Sequence, residues 1–172
     1  IIAVVGRKQY GLAIADVSTG EFLVTQVEDS EALLREICKF HPSECVFSDE
    51  DTALYQLFTE HDDEFRGMSL SPYNSYLFKE KNASERLLEH FHINDLAVLG
   101  FNAPGREGPA ITAAAVLLGY IQEMLRIEPK HMLQLTRYRI DSVMQLDLFT
   151  KKNLELVDSL NDHHGTALFD IL

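Results

Sequence analysis

Residues 10–22 read YGLAIADVSTGEF, and their reading decides the fold. Leu12, Ile14 and Val17 alternate with small residues, which predicts a strand over 10–17. Ser18, Thr19 and Gly20 supply turn chemistry, with Gly20 free to take a positive φ. Residues 21–27 alternate again: Phe22, Val24 and Gln26 face one way, Leu23, Thr25 and Val27 the other. A β-branched stretch over 1–5 and a turn over 6–9 come before. The three strands make an antiparallel meander.

Helical spacing comes next. Ser30 is placed to cap a helix over 31–40, with Leu33, Leu34, Ile37 and Phe40 on one face and His41-Pro42 as its stop. Residues 44–48 (ECVFS) read as a short buried strand. The acidic run 49–51 opens a helix reaching about Glu60, with Leu54, Leu57 and Phe58 inward. A further strand is expected over 66–70. A long helix is expected over 73–91, with Tyr76, Leu77, Ala83, Leu87, Leu88 and Phe91 on its stripe. Residues 94–108 read as a loop. Pro109 suits the first position of a helix running to about Ile127 on Ile111, Ala114, Ala115, Leu118, Ile121 and Leu125. Strands, helix, strand, helix, strand in this order suit an α/β mixed sheet flanked by helices rather than a doubly wound sheet. The pattern changes after Pro129, to a strand-like segment over 132–146 and then a helix. The expected boundary therefore divides 1–128 from 129–172.

The 172 residues carry a net charge of −12. Residues 126–172 hold six Lys/Arg and seven Asp/Glu, so residues 1–125 hold nine and twenty, a net −11. Such a surface repels a phosphate backbone and is compatible with a basic protein partner. Cys38 and Cys45 make no disulfide framework and read as buried reduced thiols. No apolar run is long enough to span a bilayer, and no signal peptide is legible, so the expected location is cytoplasmic with no membrane association. The chain begins at Ile1 within a strand pattern and ends at Leu172 within an apolar run, and it reads as a piece of a longer protein.

Residues 142–156, SVMQLDLFTKKNLEL, carry a second signature. The apolar run of Val143, Met144 and Leu146 ends at Asp147, a good helix N-cap, and Leu148, Lys151, Lys152, Leu154 and Glu155 come after it. This string resembles the start of the core (lever) domain of the MutS family of DNA mismatch-repair clamps. Residues 10–22 resemble the opening hairpin of the connector domain of that family, and the resemblance covers nearly the whole chain.

The resemblance implies an RNase H-like connector over 1–128 and the truncated start of a mostly helical core domain over 129–172. It marks Asp16, Ser18, Thr19, Gly20, Asp147, Thr150, Asn153, Leu154 and Glu155 as structural family-motif positions. It implies a parent that recognises mismatched duplex DNA as a dimer and signals with ATP and Mg²⁺. This piece would be a non-catalytic connector that transmits interdomain change and helps to dock a MutL-type protein, with no cofactor of its own. The alternatives are a metal-dependent RNase H-like nuclease, or the connector of a MutS-superfamily clamp outside mismatch repair.

Each candidate chemistry has a plainer reading. A nuclease needs carboxylates converging on two metal ions. Asp16, Asp49, Glu31 and Glu36 are the candidates, but Asp16 is equally a turn residue bonding to Ser18 and Thr19. Residues 100–107 have the glycine spacing of a phosphate loop, with Arg106 and Glu107 where Lys and Ser/Thr are needed. Phe78-Lys79-Glu80 matches the Phe-x-Glu mismatch probe of the family only by chance, inside an expected helix. His163-His164 reads as a polar loop rather than a metal site, and the remaining histidines are dispersed. Lys151 and Lys152 read as a solvated helix face, and Thr166 as the cap of a further helix.

Overall fold

The computed structural model describes residues 1–6, 8–124, 126, 134–138 and 140. By contact the chain divides after residue 139, and the sheet and its helices belong to the first unit. The expected core-domain start, with Asp147, Thr150, Asn153, Leu154 and Glu155, lies outside the described residues. So do Lys151, Lys152, His163, His164 and Thr166.

Among the described residues, six strands form one mixed sheet: β1 (Ile2–Gly6), β2 (Tyr10–Asp16), β3 (Glu21–Val27), β4 (Glu44–Ser48), β5 (Ser69–Tyr73) and β6 (Thr136–Arg137). Their order across the sheet is β5-β4-β1-β2-β3-β6. β2 runs antiparallel to β1 and β3, while β1–β4, β4–β5 and β3–β6 are parallel pairs. The antiparallel meander and the helix-flanked mixed sheet are as the sequence predicts.

The period-2 pattern of β2 sorts residues by size. Ala13 and Ala15 share one face with Ala3, Val5, Phe22, Val24 and Val46. That face carries α4 (Pro104–Glu123), whose residues 110–121 are all buried. A helix apolar all round must be covered on every side. The sheet covers one side of α4, and α3 (Glu80–Phe91) packs on it as well, through Ala83 and Leu87. Small residues let the helix axis approach the sheet closely. A Cβ added at Gly11 would lie 2.6 Å from Ala110 N and closer still to the Pro109 carbonyl.

Large residues of the sheet fill the opposite face, including Ile2, Leu12 and Phe47. Helices α1 (Ser30–Phe40) and α2 (Thr52–Glu60) supply Leu33, Ile37, Leu54 and Phe58 to the buried core. Phe58 contacts Phe47 with ring centroids 6.4 Å apart and meets Phe65 edge-on at 5.9 Å.

Several boundaries differ from the sequence reading. Asp29, not Ser30, caps α1, its carboxylate accepting from Ala32 N at 2.8 Å. The fifth strand lies at Ser69–Tyr73 rather than 66–70, with Pro72 inside it; proline is tolerated because β5 is an edge strand. No helix starts at 73. Asp49 accepts from Ser75 N and Asn74 from Tyr76 N, which tightens Ser75–Phe78 into a 3₁₀ turn before α3. Tyr76, placed on the buried stripe, is 57% exposed. Residues Leu96–Leu99 form a second 3₁₀ turn, capped by Asp95 through Ala97 N, inside the expected loop. α4 begins at Pro104, takes Pro109 into its interior and ends at Glu123, four residues short of the expected end. Cys45 is buried as expected, whereas Cys38 is only half-buried. β6 lies beyond residue 128 in sequence and within the same sheet.

Two exposed histidines, His41 and His92, close α1 and α3 in left-handed conformation, with φ of 42° and 53°. Replacing either by Gly relieves the Cβ penalty and is expected to stabilise the domain by about 1 kcal/mol. Gly11→Ala forces α4 off the sheet and is expected to cost about 2–3 kcal/mol. Gly105→Ala, whose Cβ meets nothing within 4 Å, is the near-neutral control. Urea denaturation of the four variants checks both expectations.

Candidate functional site

The structure explains Asp16 as a turn residue. Its Oδ1 accepts from Ser18 N at 2.8 Å, Ser18 Oγ at 2.6 Å and Thr19 N at 3.3 Å. Gly20 takes φ 80° and donates its N–H to Asp16 O. Thr19 Oγ1 accepts from Glu21 N, so the family-motif residues 16–20 build one self-contained hairpin turn. The Ser18 bonds, foremost, hold the exposed Asp16 carboxyl below its ordinary range.

Sheet register tests the nuclease geometry. Ile14 and Cys45 both stand opposite Ile2. Asp16 lies two residues past Ile14 toward one end of the sheet, and Asp49 lies four past Cys45 toward the other. At the rise of a strand this separates them by about 20 Å, against the roughly 4 Å between paired metal ions. Glu31 pairs with Arg35. Glu36, 2% exposed, pairs with Lys39 and accepts from Tyr138 Oη at 3.3 Å. Among the described residues no group of three His, Cys, Asp or Glu side chains is placed to hold a metal ion.

The glycine-spaced loop is filled by its own carboxylate. Glu107 folds back so that its Oε2 accepts from Ala103 N at 2.9 Å, while its Oε1 pairs with Arg137. The first turn of α4, where a phosphate would sit, therefore already carries a negative charge. Phe78 is not a presented wedge, being 7% exposed within the core. Residues 40–65 hold eight Asp/Glu and no Lys or Arg, which disfavours a phosphate backbone there.

The feature that sequence reasoning missed is the fastening of β6. Arg137 donates to Gly100 O at 2.9 Å and lies over the Phe101 ring, 5.6 Å from its centroid, besides pairing with Glu107. Tyr138 donates its N–H to Val24 O, accepts from Thr25 Oγ1 at 3.0 Å, and sets its ring 6.1 Å from that of Phe40. Burial foremost, then Glu36, pushes the Tyr138 hydroxyl above its ordinary range. Arg137 in β6 and Tyr138 directly after it thus tie this edge of the sheet to α4 and to α1 respectively. A two-residue strand carries no periodic signal, and only the adjacency of Arg137 and Tyr138 could have drawn notice.

A mixed sheet whose first five strands run in the order 3-2-1-4-5, with β6 added at the β3 edge and helices on both faces, places the domain in the RNase H-like α/β class. The chain belongs to the MutS family: residues 1–133 match the family model described as MutS domain II. It is 35% identical over 161 residues to the DNA mismatch repair protein MutS of Chlamydia pneumoniae, covering 91% of this chain and 18% of that protein. It is 34% identical over 166 residues to the protein of the same name from Syntrophobacter fumaroxidans, covering 96% and 18%. The MutS protein of Protochlamydia amoebophila is 31% identical over 153 residues, covering 89% and 18%. The chain thus spans about a fifth of the length of these curated relatives. No described helix is long and apolar enough to cross a membrane.

Asp16→Ala is expected to lower the melting temperature at pH 7. A depressed carboxyl contributes stability above its unfolded pKa, near 3.9, and loses it as pH falls through the lower folded value. The gap between wild type and variant should therefore close below about pH 4. Melts from pH 7 to pH 3 measure it, and a gap unchanged across that range contradicts the turn assignment.

Proposed function

We propose that this chain is the connector part of a DNA mismatch-repair protein and performs no catalysis itself. Its work is to pass conformational change between neighbouring domains of the parent and to offer a docking face to a MutL-type protein. Mismatched duplex DNA is read, and ATP with Mg²⁺ is bound, by other domains of a dimeric parent.

The observation that carries this reading is the fastening of β6. The strand leading into the rest of the chain is bonded to the β3 edge and tied, through Glu107 and Glu36, to helices on both faces of the sheet. A pull on β6 from its C-terminal side is felt by α1 and α4 together. Domain II membership and the names of the relatives support the repair assignment over a clamp used elsewhere. The acidic surface supports a protein partner over DNA.

The test is a titration of this chain against a purified MutL-type protein, with mismatched duplex as a parallel ligand at about 150 mM salt. Saturable protein binding without DNA binding is expected. DNA affinity that falls steeply with salt overturns the charge argument, and binding to neither removes the docking role.

A further inference from the structure

We propose that β6 is a detachable clip, able to leave the β3 edge while the other five strands stay folded. This deepens the interdomain reading above and rests on it for its purpose, not for its mechanics.

The asymmetry of the β3 contacts carries the inference. Among the described residues, β3 pairs with β2 over seven positions and with β6 over two. Of the described residues around β6, only Leu135 enters the hydrophobic core, and Thr136 and Arg137 are exposed. What fastens the strand is mostly polar: the exposed Arg137 on Gly100 and Glu107, and the half-buried Tyr138 on Val24, Thr25 and Glu36 with its ring against Phe40. Polar fastenings exchange for water with little net change, whereas apolar burial does not. Both carboxylate anchors keep a partner when the clip opens. Glu107 retains the Ala103 N–H, and Glu36 retains Lys39. No bound carboxylate is stranded, so opening is local. Arg137 is the keystone because it makes an ion pair, a carbonyl bond and a ring contact at once.

Residue-resolved hydrogen exchange on the 172-residue chain tests this at the Tyr138 amide, which donates to Val24 O. In wild type it is expected to exchange at least about tenfold faster than amides in the β2–β3 ladder. Arg137→Ala should raise the Tyr138 rate about another tenfold and leave the ladder unchanged. Glu107→Gln discharges the pair but keeps an acceptor for Ala103, and should act in the same direction. A shared rate for Tyr138 and the ladder, moving together in the variants, makes β6 part of the cooperative core and overturns the proposal. So does a Tyr138 rate that neither variant changes. Failure of the partner titration leaves these rates untouched, so the two readings fall separately.

Discussion

The whole domain depends on one backbone-to-backbone approach, that of α4 on β2 at Gly11. Nothing larger than a hydrogen fits between that strand and the Pro109–Ala110 backbone. The alanines on both surfaces, Ala3, Ala13 and Ala15 on the sheet and Ala110, Ala113 and Ala114 on the helix, extend the same closeness. Dispersion between closely packed atoms falls off within fractions of an ångström, so the contact tolerates little drift. Pro109 sits in the helix where it has no N–H to give, and α4 continues past it to Glu123.

The far end of α4 is held by polar contacts instead. Tyr120 Oη and Ser71 Oγ both donate to Glu44 Oε1 at 2.5 Å. Tyr73 Oη donates to Glu123 at 2.6 Å, Arg86 reaches the same carboxylate, and the rings of Tyr73 and Tyr120 meet edge-on at 5.2 Å. Burial foremost, with the carboxylate contacts adding, raises both phenols above their ordinary range and keeps them as donors. The helix is thus packed tightly at its start and bonded specifically at its end. This fixes the sheet edge on which β5 lies and leaves the opposite edge to β6.

The meander was legible because period 2, turn chemistry and side-chain size all agreed over residues 10–27. The helices at 30–40 and 52–60 were legible from apolar spacing, and the second also from its acidic start, whereas the cap of the first falls one residue earlier than Ser30. The misses have physical causes. Pro72 argues against a strand unless the strand lies at an edge, and edge position is a tertiary fact. Residues 73–91 carry helical spacing throughout, but the Asp49 and Asn74 contacts with Ser75 N and Tyr76 N hold the 3₁₀ turn apart from α3. Pro109 reads as a start because proline usually is one, whereas here Pro104 takes that place. Asp16 was readable as a turn residue from its neighbours alone. The Glu107–Arg137 pair spans thirty positions and joins two segments that each look unremarkable.

Much of the acidity of this domain is architectural. Asp16, Asp29, Asp49, Asp51, Asp95 and Glu107 each accept a backbone N–H at a turn or helix start. Lysine at any of these places would change the charge and leave that N–H without its acceptor. A lineage under pressure to make this surface grip nucleic acid would therefore have to spare those six positions and work through the remaining carboxylates. Six of the 27 Asp and Glu are, in that sense, a by-product of how the chain begins its turns and helices.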